Sequence, residues 1–213
     1  KTEGCQLMAV DPQFEERLSQ FIDRQFPGSS VGAVDQLTAG ASQQTFRVRT
    51  RSRDGVQHDY ALRRAQPGLV ASSQGQLSTS AEVALLRLAQ SAGGPVPNVI
   101  CELEPRHDLG EGYLMEWLEG ETLGHRIVKL PELAEMRATL AYECGQTLAK
   151  IHALPVPHSL RRVLPCVSPE VLVRDTWNAY IVLNTPQPMI VFTAQCLLSH
   201  LPTTVTQCLV YGD

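Results

Sequence analysis

The chain has no run that reads as a membrane span. Its longest apolar-rich stretch, residues 189–201, is broken by Thr193, Gln195, Ser199 and His200, and a spanning helix needs about 20 mainly apolar residues. The N-terminus is polar and lacks the apolar segment of a secretory signal. None of the six cysteines forms a C-x-x-C pair, so the usual spacing of a zinc site is missing. Positive charge is not in excess. The net charge is -4 and the pI is about 5.9, so there is no electrostatic footprint for nucleic acid. Neither a Walker A segment nor a G-x-G-x-x-G segment occurs. These absences lead us to expect a cytoplasmic protein with reduced, mostly buried thiols and neither membrane nor nucleic-acid partners.

What is present suits a folded core. Of 213 residues, 43% are hydrophobic and 19% charged, enough for one large domain or two small lobes. Asp11-Pro12 followed by Phe14, Leu18, Phe21, Ile22 and Phe26 predicts an amphipathic helix, capped by Asp11 and started by Pro12. Residues 31–50 predict two strands around the small-residue turn 38–42. Arg53-Asp54-Gly55 is a hairpin signal, and residues 58–63 predict a third strand. The alternating Arg47, Arg49, Arg51 and Arg53 read as a solvated strand face. Residues 66–78 read as a loop and 79–92 as a helix, with Val83, Leu85, Leu86 and Leu88 at helical spacing. Strands are predicted at 99–103 and 113–118. Beyond Glu119-Gly120 the pattern turns helical, over 131–151, 168–182 and 189–201. Leu133, Met136, Leu140, Cys144 and Leu148 share one face of the first of these helices, and Trp177 and Tyr180 are expected as core aromatics of the second. The expected class is α+β, with about five antiparallel strands and a helix in residues 1–118 and a mainly helical region in 119–213.

Five segments could carry chemistry. Small residues around Gly40 and Ser42, leading into Gln43, sit in a turn between two strands, where backbone amides can approach phosphate oxygens. Arg63 ends the third strand, and such a cation needs a carboxylate to hold it; Glu82 in the next helix is the partner we expect. The strand Tyr113-Leu114-Met115-Glu116-Trp117-Leu118 leaves the sheet and exposes backbone groups that can hydrogen-bond an adenine. The long helix ends in Ile151-His152-Ala153, where His152 reads as structural. Finally, the apolar Cys208-Leu209-Val210 runs into Tyr211-Gly212-Asp213, a way to present a carboxylate at the mouth of a site.

The order of these segments resembles the aminoglycoside phosphotransferase and choline kinase-like family, small-molecule relatives of the protein kinases, over residues 12–213. The Leu62-Arg63-Arg64 strand resembles, in particular, the branch of kinase-like domains found beside acyl-CoA dehydrogenases. The resemblance implies a protein-kinase-like fold and an ATP- and Mg2+-dependent transfer to a hydroxyl of a small molecule. It implies that Gly40, Ser42 and Gln43 lie over the ATP phosphates, that Arg63 replaces the usual strand lysine, and that Glu82 is its ion-pair partner. By the same resemblance Met115 is the gatekeeper, the Glu116 carbonyl and the Leu118 backbone face adenine, and Asp213 is the catalytic aspartate. The resemblance also places the metal ligands beyond Asp213, so we expect the sequence to be part of a longer chain and inactive by itself. The histidine of the family's catalytic loop is Tyr211 here. That departure, with the absent metal ligands, leaves open a second reading, a kinase-like nucleotide-binding or regulatory module without catalysis.

Overall fold

A computed structural model describes residues 11–37, 43–66 and 77–210. The predicted turn residues Gly40 and Ser42, and the terminal Tyr211 and Asp213, lie outside the described residues. The described chain forms two compact units, one of residues up to Pro155 and one of Val156–Leu209.

The first unit opens with helix α1, Pro12–Gln25. The Asp11 side chain accepts from the Gln13 amide at 3.1 Å, and Pro12 occupies the first turn, where no amide is missed. The spacing of Phe14, Leu18, Phe21 and Ile22 places all four on one buried stripe. Strands β1 (Ser30–Leu37), β2 (Gln43–Arg51) and β3 (Gln57–Ala65) follow as a meander, then helix α2 (Thr79–Ser91), β4 (Val99–Glu102) and β5 (Gly112–Glu116). The five strands are wholly antiparallel in the order β1-β2-β3-β5-β4. The β2–β3 turn is closed by Gly55, whose φ of +80° suits a residue without Cβ; its amide donates to the Ser52 carbonyl at 2.9 Å. The expected α+β arrangement is therefore present and is compatible with a protein-kinase-like fold.

One helix covers each face of the sheet. Side chains alternate along a strand, and directly paired residues share a face. Phe46 pairs with Leu62, and Leu62 with Leu114. With Val48 and Leu109 these residues meet the α1 stripe in the main core, where Phe14 and Phe46 lie 4.8 Å apart between ring centres. On the opposite face Val83 of α2 packs with Val99 and Tyr113, and Leu86 and Met115 close around them.

After β5 the chain is helical, with α3 (Gly124–Lys129), α4 (Ala134–His152), and, in the second unit, α5 (His158–Arg161), α6 (Pro169–Val182) and α7 (Pro188–Ser199). The Ser168 hydroxyl caps α6 by accepting from the Val171 amide at 3.2 Å. The periodicity located α4, α6 and α7, but it did not locate a core. Met136 and Leu148 on the predicted α4 stripe are 37% and 39% exposed. Trp177 and Tyr180 are half-buried, with ring centres 5.6 Å apart. The Tyr180 hydroxyl serves the following turn, donating to the Thr185 carbonyl at 2.8 Å. Helical spacing states which residues share a stripe and not what lies over it.

The thiols also depart from expectation. Cys144, Cys166, Cys196 and Cys208 are exposed, and Cys101 in β4 is half-buried. Burial pushes the Cys101 thiol up to about 11; Arg87 opposes that rise, and Glu102 and Glu104 add to it. A raised pKa means less thiolate, the reactive form, at neutral pH. In iodoacetamide labelling at pH 8 followed by peptide mass spectrometry, Cys101 is expected to react ~100-fold more slowly than an ordinary exposed thiol. Labelling of Cys101 together with Cys144 would show that β4 does not shelter it.

Candidate functional site

The α2 face of the sheet is ordered in rows by the strand register. One row runs Asp35, Arg47, Ala61, Met115 and Val99; the next runs Leu37, Thr45, Arg63 and Tyr113. Residues two apart on a strand stand about 6.6–6.8 Å apart on the same face, so Arg63 lies one row from Ala61 and Met115. Adjacent residues alternate, so Arg64 must point to the other face.

The structure bears out that divergence. Arg64 enters the α1 core: its guanidinium carbon lies 4.0 Å from the Phe14 ring centre and 5.2 Å from that of Phe46. Its Nε donates to Gln44 Oε1 at 2.9 Å and its Nη1 to the Leu109 carbonyl at 3.2 Å. Burial lowers its pKa below the ordinary value, and Asp11 partly offsets this.

Arg63 instead reaches α2. Its Nη2 lies 3.3 Å from Glu82 Oε1, with the Arg63 and Glu82 side chains 40% and 21% exposed. Glu82 is in the first turn of α2, whose N-terminus favours a carboxylate. Gln43, the first residue of β2, joins both partners: its Oε1 accepts from Arg63 Nε, and its Nε2 donates to Glu82 Oε2 at 3.1 Å. Tyr113 completes the group from β5. Burial raises its pKa well above the ordinary phenol value, Glu82 adds to the rise and Arg63 opposes it, so the hydroxyl stays protonated near neutral pH.

Two features hold β5 beside Arg63. Gly112 pairs with Arg64, and a Cβ there would meet the Arg63 carbonyl oxygen at 2.4 Å, a distance only glycine avoids. At the other end of β5, the Glu116 amide donates to the Asn98 carbonyl at 2.9 Å. β5 ends at Glu116, shorter than the predicted strand. Leu118 follows it 56% exposed, and its backbone makes no backbone hydrogen bond among the described residues.

Of the residues expected from sequence, the structure thus unites Gln43, Arg63 and Glu82 and puts Met115 in the adjoining row. The Glu116 side chain is on the α1 face, because Glu116 pairs with Tyr60. Gly40, Ser42 and Asp213 lie outside the described residues.

Arg47, Trp117 and Glu119 were not anticipated. Arg47 is not part of a solvated strand face. It pairs with Asp59, lies 2.7 Å from Glu119 Oε1, and sits 4.5 Å above the Trp117 ring; Trp117 Nε1 donates to the same Glu119 oxygen at 2.9 Å. Burial alone would lower the Arg47 pKa, but Asp59 and Glu119 outweigh it and raise it. The cluster ties the segment leaving β5 to β2 and β3. Arg49 likewise pairs with Asp35. The acidic residues Asp35 and Asp59 on the strands flanking Arg47 and Arg49 were the available signal, but their pairing depends on the β1-β2-β3 register.

A model of the phosphotransferase enzyme family matches residues 33–213. This chain belongs to the phosphotransferase enzyme family. The match begins within β1 and runs to the last residue, so it includes Gln43, Arg63, Glu82 and Tyr113. It does not resolve a branch within the family. No curated protein matches the chain. No lysine stands between Lys1 and Lys129, so no strand of the sheet offers one, and Arg63 is the β3 cation that meets a helix carboxylate on the α2 face.

The two arginines are expected to separate in stability. Arg64→Ala removes two ring contacts and two hydrogen bonds and should lower the unfolding free energy by about 2–3 kcal/mol. Arg63→Ala, in a partly exposed pair, should cost about 1 kcal/mol or less. Urea denaturation of the two variants would measure both; equal losses would contradict the divergence of the side chains.

Proposed function

We propose that this protein is an ATP-dependent phosphotransferase that moves the γ-phosphoryl group to a hydroxyl of a small molecule. The observation that carries this reading is the Arg63–Glu82 pair, set on the α2 face of the sheet one row from Ala61 and Met115. A guanidinium held by a carboxylate suits the α- and β-phosphates of ATP. The half-buried Met115, beside the buried Ala61, offers an apolar surface in the next row, fit for a purine ring. Leu118, two residues beyond β5, leaves its backbone groups without a backbone partner among the described residues. These residues would hold ATP from the phosphates to the base, and Gly40 and Ser42 would contribute from the segment preceding β2.

ATP supplies the transferable phosphoryl group. The chain's own contribution is to position it and to balance its charge. Glu82 fixes Arg63, so that the cation does not collapse onto the sheet. Arg47 pins the segment after β5 through Glu119 and Trp117, which keeps the edge where adenine would bind in one place. Asp213 is proposed to orient the acceptor hydroxyl and take its proton as the oxygen attacks. Mg2+ is proposed to balance charge on the ATP phosphates. Among the described residues no group of three His, Cys, Asp or Glu side chains could hold a metal ion, and we assign no step to one. The change from sheet to helices near residue 119 is proposed as the boundary between the nucleotide-binding lobe and the helical lobe, and the cytoplasm as the compartment.

ATP consumption by the intact protein, measured with Mg2+ and a panel of small-molecule alcohols, tests the reading. Arg63→Ala should weaken ATP use at least tenfold more than Arg64→Ala, both assayed where they remain folded. Equal effects would remove Arg63 from the site. Asp213→Asn should reduce turnover by about 10²–10⁴-fold with ATP affinity kept. ATP binding without transfer to any acceptor would favour the nucleotide-binding module instead.

A further inference from the structure

Gln43 was expected over the phosphates, but its amide is already engaged at both ends. Oε1 accepts from Arg63 Nε, and Nε2 donates to Glu82 Oε2 at 3.1 Å, while Arg63 Nη2 lies 3.3 Å from Glu82 Oε1. The three side chains form a closed ring. The ring uses the lateral edge of the guanidinium, Nε and Nη2. Among the described residues Nη1 has no partner, so the terminal edge, with its two parallel N–H groups, stays open to a bidentate oxyanion.

A lysine in this position would need no such help. Its ammonium is a point charge with rotating donors, and one carboxylate suffices to hold it. A planar guanidinium paired with one carboxylate can still swing about that contact and turn its terminal edge away. A second acceptor on Nε stops the swing. We propose that Gln43 is a positioning residue that orients the guanidinium plane of Arg63 toward the nucleotide phosphates, and that it is required because the strand cation is arginine. The inference rests on the ATP reading above and assigns Gln43 a role through Arg63 rather than on phosphate directly.

The test is the affinity of the intact protein for ATP and for adenosine, by calorimetry, in the wild type, Gln43→Ala, Arg63→Lys and the double variant. Gln43→Ala is expected to weaken ATP about tenfold and adenosine less than about twofold, because only the phosphate grip is lost. In the Arg63→Lys background the same substitution is expected to change ATP affinity less than about twofold. Gln43→Met keeps the side chain's length without either hydrogen bond, and should repeat the alanine result if alanine disturbs folding. An equal tenfold loss in both backgrounds would make Gln43 a direct phosphate ligand and overturn the proposal. Equal losses of ATP and adenosine would mark it as structural, and no loss would dismiss it. Each of these leaves the ATP reading standing. A wild type that binds neither ligand would overturn the ATP reading and the proposal with it.

Discussion

Arg63 and Arg64 are neighbours on β3 and must point to opposite faces of the sheet. Much of the first unit depends on that constraint. On one face Arg64 packs among Phe14, Phe46 and the Leu109 carbonyl, and fastens α1 to the sheet. On the other, Arg63 meets Glu82 and Gln43. A shift of β3 by one residue would exchange the two, placing the ion pair in the α1 core and opening the core cation to solvent. The register is fixed on both sides, by β2 along its whole length and by β5 next to Gly112, where no side chain fits.

The site draws its rigidity from that sheet. Gln43, Arg63 and Tyr113 come from three adjacent strands, and Glu82 comes from the first turn of the helix above them. Long side chains on separate strands lose rotamer freedom when they meet. The closed ring of two hydrogen bonds and one ion pair offsets that loss by satisfying several polar groups at once. Arg47 does similar work at the other end of the face. Its partners Asp59, Glu119 and Trp117 belong to β3 and to the segment leaving β5. One guanidinium group thus joins a chain segment without regular structure to the two central strands.

The legible parts of the sequence were those set by local periodicity and turn chemistry. The α1 stripe, its Asp11 cap, the Gly55 hairpin and α2 all lie close to where these signals put them. Arg63 and Glu82 could be paired in advance because a cation at a strand end and a carboxylate in the next helix's first turn form a recognisable order. The roles of Gln43 and Arg47 were not legible. Both depend on tertiary pairing that brings together residues well separated in sequence, 12 apart for Arg47 and Asp59 and 39 apart for Gln43 and Glu82. Nor did helical spacing tell whether Trp177, Tyr180 or the α4 stripe is covered, since periodicity defines a face but not its neighbour.

By itself, then, the sequence determined the order and type of the five strands and the longer helices, the buried stripe of α1, and the opposite directions of Arg63 and Arg64, because each follows from geometry within one segment. Tertiary structure alone decided that Arg64 becomes a core residue, that Gln43 closes the ring with Glu82, and that Arg47 holds the exit from β5. Those outcomes require strands and helices distant in sequence to meet in one register, and no local pattern contains that information.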